Sequence, residues 1–201
     1  MSLLSTIRIA FLAAAIATPA FSQVQAFGGD APRMAATRML LASPNFAPVG
    51  LVCIQYGQPA WSAEHQAKLD AMKGENARLG KDYWTTLNTS CALTIGGTKV
   101  AAGSYYLGLK VDAEGAFHLL VISSATADAK KWAPWSGAEL KADFTCPLTR
   151  TATATEAALL KISLGEVKKE APAEMTFSIQ WGKHQLAAPV VAELPAAAGT
   201  K

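Results

Sequence analysis

The chain has 201 residues, 51% of them hydrophobic and 16% charged, with a formal net charge of +3. Lysine and arginine are scattered among aspartate and glutamate without a basic stripe, which excludes nucleic acid as a partner class. The length suffices for one domain with a real core, so no metal is needed to hold it together.

In chain order, Arg8 precedes an apolar run over residues 9–17, which ends in Thr18-Pro19-Ala20-Phe21-Ser22-Gln23. An apolar core too short to cross a bilayer, followed by small residues at −3 and −1, is the pattern of a secretory signal peptide. Ala20 and Ser22 favour a cut between Ser22 and Gln23, while Val24 and Ala26 allow one before Phe27; an uncleaved anchor is the competing reading. No twin arginine precedes the core, no cysteine follows it to take a lipid, and no later apolar run is long enough to span a membrane. The expectation is a secreted or periplasmic protein with no span once residues 1–22 are removed, leaving 179 of the 201 residues.

Residues 23–47 mix Gly28-Gly29, Pro32 and Pro44 with an apolar patch over 34–41 and read as an irregular arm. A β domain is predicted over 48–192, followed by a frayed tail over 193–201. Strands are expected at 49–56, 104–111, 116–123, 144–150, 157–164, 175–181 and 184–191. Hairpin turns are expected at Gly96-Gly97 and Gly182-Lys183, and Asp112-Ala113-Glu114-Gly115 links two of the strands. Met175, Phe177, Ile179 and Trp181 alternate with polar residues, so one face of that strand is core. Residues 116–123 are apolar on both faces and need a cover. The candidates are a helical segment over 62–78, capped by Ser62 and interrupted by Gly74, and the 34–41 patch. The fold class is all-β: an antiparallel β-sandwich of about eight strands with one short helix.

Three cysteines in an oxidising compartment suggest one bridge and one spare thiol; Cys91 with Cys146 is the candidate pair, and Cys53 in an apolar run is read as buried and inert. His65, His118 and His184 lack metal-ligand spacing, and no nucleophile elbow, phosphate loop or calcium loop occurs, so no metal or cofactor is expected. Asn88-Thr89-Ser90 matches a glycosylation acceptor by a short and undemanding pattern. The candidate ligand-binding residues are Trp84, Asn88, Trp132, Trp135 and His184, because exposed indoles stack on sugars or grip peptides and the expected hairpin pairs His184 with Trp181 on one face. The competing role for Trp132 and Trp135 is plugging one end of the core. Separated carboxylates such as Asp82 and Glu139 keep a hydrolase open as an alternative.

The order of motifs resembles a family of secreted bacterial proteins, domain of unknown function 2911. The resemblance rests on Ser43-Pro44, Val49-Gly50-Leu51 and Ile54-Gln55-Tyr56-Gly57-Gln58-Pro59. It continues through Leu79-Gly80-Lys81-Asp82-Tyr83-Trp84 with Asn88, Ile95 to Tyr105, and the closing stretch 177–189 around Trp181-Gly182. The family usually follows its tryptophan with arginine, whereas Trp84 is followed by Thr85; if that arginine serves a shared site, this chain has lost or moved it. The resemblance implies a sandwich and export, and no activity. The functional expectation is a non-enzymatic binding or accessory module of the bacterial envelope, its ligand a small molecule, glycan or peptide, with a hydrolase or a structural envelope protein as alternatives.

Overall fold

Period-two alternation sets the architecture: in the second strand Val52, Ile54 and Tyr56 are buried while Leu51 and Gln55 face out. The computed structural model describes residues 33–43, 45–137, 140–165, 170–171 and 173–194, so the expected cleavage site at Ser22 and Gln23 lies outside the described residues. The elements are β1 (Met34–Ala42), β2 (Pro48–Gly57), α1 (Ala63–Ala71), β3 (Asn76–Arg78), β4 (Thr85–Thr89), β5 (Ala92–Ile95), β6 (Thr98–Val100), β7 (Gly103–Val111), β8 (Phe117–Ser123), α2 (Ser124–Lys130), β9 (Phe144–Gly165) and β10 (Glu174–Glu193). The strands pair antiparallel in the order β1-β2-β4-β7-β8-β9-β10-β5-β6, with β3 beside β7. The class is all-β, with ten described strands and a second short helix beyond the one expected. The predicted arm contains β1, paired with β2 over its whole length. Among the described residues no helix is long and apolar enough to cross a membrane.

Two long strands turn one sheet into two leaves. The start of β9 pairs with β8 through Phe144 to Leu148, and the rest pairs with β10, which hands on to β5 through Val190 to Glu193. A single core holds Val52 and Ile54 from the first leaf with Leu160, Ile162 and Phe177 from the second. The turns at Gly96-Gly97 and Asp112–Gly115 form as expected; Gly96 and Gly97 both have positive φ, as a two-residue hairpin requires. The turn expected at Gly182-Lys183 does not form: β10 runs through it, and Gly182 (φ 59°) is a bulge where the register against β9 shifts. A Cβ on Gly182 would collide with the Trp61 ring, so the glycine serves a close approach rather than a reversal.

The far edge of β9 is satisfied largely by side chains. Ile162 donates its N–H to the Tyr56 hydroxyl (2.9 Å), which donates to the Ile162 carbonyl (3.1 Å). Gln58 Nε2 donates to the Leu160 carbonyl (3.0 Å), and the Leu164 N–H donates to Thr37 Oγ1 (3.3 Å). Among the described residues main chain meets main chain on this edge at Pro59 to Trp61, through Trp61 N to Ala158 O and Leu160 N to Pro59 O. The edge groups of a buried strand need partners, and β1, β2 and the stretch Gln58 to Trp61 supply them without extending the ladder.

Three further expectations are corrected. The second apolar face of β8 is covered neither by 62–78 nor by β1 but by α2 and the stretch after it, where Ile122 packs with Trp84, Ala127 and Leu140. No disulfide joins Cys91 and Cys146: all three cysteines are free. Cys146 sits opposite Leu119 in β9, while Cys91, just before β5, packs against Gly50 and Thr89, so the two sulfurs occupy different parts of the core. Burial pushes the Cys146 thiol up to about 11, against a contact from Thr98 that pulls it down. Cys53, expected to be buried, is only half-buried on the other face of β2 from Val52 and Ile54.

Candidate functional site

Three breaks in the β ladders meet at one place. The chain leaves β2 at Gly57; it leaves the edge of β7 between β3 and β4; and β10 bulges at Gly182. Among them lies a cavity of about 580 Å³. Its inner wall is Leu109, Leu160, Ile179 and Leu186, all buried, and Leu69 and Met72 close it from the helical side.

α1 is set down on this cavity rather than into the core. Ser62 caps it, accepting from the His65 N–H (3.3 Å), and none of its residues is buried, so little apolar area holds it. On the opposite rim the stretch Leu79 to Lys81 is drawn close against β2: Lys81 donates its N–H to the Gly57 carbonyl, and a Cβ on Gly57 would collide with the Lys81 carbonyl. Thr85, fully buried, donates to the Leu79 carbonyl (2.8 Å). Thr85 thus braces the rim, and the guanidinium at this cavity belongs to Arg78.

The cavity also has charged and ionisable lining: His65, Lys68, Glu75, Arg78, Lys81 and His184. Arg78 is half-buried and donates to the main-chain carbonyl of Asp82, whose own backbone is left-handed (φ 65°). Among the described residues no carboxylate stands within ion-pair distance of Arg78. Burial draws its pKa below the ordinary arginine value, and the charge of Asp82 opposes that only in part.

His184 is held in one tautomer. Arg150 can only donate, so the contact from its Nη2 to Nδ1 of His184 (3.0 Å) leaves that nitrogen bare and puts the proton on Nε2, which donates to Gln66 Oε1 (2.9 Å). The Gln66 amide then donates to both oxygens of Asp70 (3.0 Å each), a direction that fixes its orientation too. The relay Arg150, His184, Gln66, Asp70 ties β9 and β10 to α1. Trp61 lies edge-on to Trp181 (5.1 Å between centroids) and to His184 (5.5 Å), and His65 tilts over Trp181 (4.4 Å), closing that end with aromatic surface.

The candidate residues divide between two places. His184 lines the cavity. Trp84 is 7% exposed, donates Nε1 to the Ser136 carbonyl (3.0 Å) and packs on Tyr106, and Trp132 packs half-buried against the same outer cluster. Trp135 is 62% exposed, and Asn88 is exposed on β4. Asp82 stands beside Arg78; Glu139 lies outside the described residues. No group of three or more His, Cys, Asp or Glu placed to hold a metal is found among the described residues. Sequence reasoning missed Arg78, Lys81, Leu69, Met72 and Trp61. The available signal was that the stretches 56–59, 79–84 and 177–189, which carry the family resemblance, each contribute to this one cavity.

Neither the curated proteins nor the solved structures contain a significant match to this chain. Residues 48–190, which include β2 through most of β10 and every wall of the cavity, match a family model, and the chain belongs to the family described as protein of unknown function DUF2911.

Proposed function

We propose that this protein is an exported, non-enzymatic binding module of the bacterial envelope that takes a small, largely apolar molecule into the cavity between α1 and the β core. The observation that carries this reading is a cavity of about 580 Å³ walled mainly by apolar side chains, with Lys68, Glu75, Arg78 and Lys81 among its lining. Small-molecule sites have this size and this distribution of polarity. The Trp84 and Trp132 rings are committed to packing, and Trp135 and Asn88 do not line the cavity, which leaves His184 as the expected ligand-binding residue that contacts the ligand.

The test is uptake of the neutral dye N-phenyl-1-naphthylamine by the purified protein, read as fluorescence enhancement. Met72→Trp, which fills the cavity from its less tightly packed side, should weaken uptake about tenfold or more, and Trp135→Ala should leave it unchanged. The reverse pattern would move the site to the exposed tryptophan and overturn the proposal.

A further inference from the structure

We infer that the cavity selects a single-chain amphiphile with an anionic head, a carboxylate or a phosphate monoester, seated with its tail against Leu160 and Ile179 and its head at Arg78 and Lys81. This rests on the cavity being the binding site and specifies what enters it. The lining presents three cationic side chains, Lys68, Arg78 and Lys81, against one carboxylate, Glu75. Lys68 is already engaged by Glu64 at 2.7 Å, on the solvent side of α1. Arg78 is different: it is half-buried, and among the described residues its side-chain hydrogen bond goes to the neutral Asp82 carbonyl. A guanidinium has five N–H donors in a planar fork, so most of its capacity remains for a bidentate anion. Removing a cation from water is costly, the nearby charge of Asp82 offsets that cost only in part, and an anionic head at the rim would offset more of it.

The chain topology explains why this charge stands at a lipid-like chamber. β3 ends at Arg78 because the chain must leave β7 there, and the turn through Gly80 directs Lys81 to the same rim while Leu79 goes into the core. Charge and apolar wall thus come from adjacent residues of one stretch. Entry would displace α1, which is held by the His184 to Gln66 contact, by His65 against Trp181 and by Leu69 and Met72.

The experiment is displacement of bound N-phenyl-1-naphthylamine from the purified protein by laurate, dodecyl phosphate, dodecanol and dodecyltrimethylammonium, whose tails differ by no more than a single methylene. Laurate, dodecyl phosphate or both should displace the dye at about tenfold lower concentration than dodecanol, with the ammonium weakest, and whichever anion wins identifies the head. Arg78→Gln should cut the anion-to-dodecanol preference about tenfold, and Lys81→Gln about threefold. Raising salt from about 0.05 to 0.5 M should narrow the preference in the wild-type protein, a readout that needs no variant to fold. Equal displacement by dodecanol, or better displacement by the ammonium, overturns the anion assignment while leaving the cavity as the site. Absence of dye uptake and of laurate binding in the folded protein overturns both readings.

Discussion

Protonating His184 would deprive Arg150 of its acceptor and set two cations side by side. Its pKa is accordingly lowered, first by burial and then by the Arg150 charge, with Asp70 opposing. Between the ordinary histidine value of about 6.5 and the lower folded value, the unfolded chain binds a proton that the folded one refuses. The contribution of the relay is therefore complete above about pH 6.5 and is lost as pH falls through the folded value. The melting-temperature difference between wild type and His184→Ala should shrink over that acidic range, measured by calorimetry at matched ionic strength. Tyr56 gives a second residue-scale prediction. Tyr56→Phe removes one hydroxyl but orphans both the N–H and the C=O of Ile162 in the core, so a loss of about 1–3 kcal/mol in urea unfolding is expected. Tyr56 was legible as the end of a strand. Its bonding partner, 106 residues away in sequence, was not.

At the scale of elements, β10 shows how one glycine carries two meanings. Trp181-Gly182-Lys183 satisfies the local rule for a hairpin, because positive φ is what a turn and a bulge both demand. What decides between them is β9, which stays paired on both sides of Gly182. Gly182→Ala combines left-handed strain with a collision against Trp61, whereas at Gly97 (φ 84°) a Cβ meets nothing within 4 Å. Gly97→Ala should cost about 1 kcal/mol and Gly182→Ala clearly more, about 2–4 kcal/mol, in the same urea assay. The helix at 63–71 was legible from Ser62 and from Leu69 with Met72, but its role was not: it roofs a cavity instead of covering β8. With no buried residue of its own, α1 should exchange its amide hydrogens well before β7 and β8 do, as followed by hydrogen-exchange mass spectrometry.

For the whole molecule, core packing replaces the cross-link that cysteine arithmetic suggested. The three thiols should all react with a maleimide in denaturant without reductant, a mass shift of three adducts. In the native protein at neutral pH, half-buried Cys53 should react first and Cys146 scarcely at all, since burial holds its thiol up to about 11. Alternation, turn glycines and the order of family motifs determined by themselves the all-β class, most of the strands and membership of the family, because these depend on contacts near in sequence. Only the tertiary structure decided the site. Arg78, Leu160, Ile179 and His184 become neighbours when two leaves fold over one core, and no local periodicity records which broken ladders will meet there. The same physical reason separates Trp135 from Trp84: both are indoles near polar residues in sequence, and only the packing of α2 and the stretch after it against β8 buries one and exposes the other.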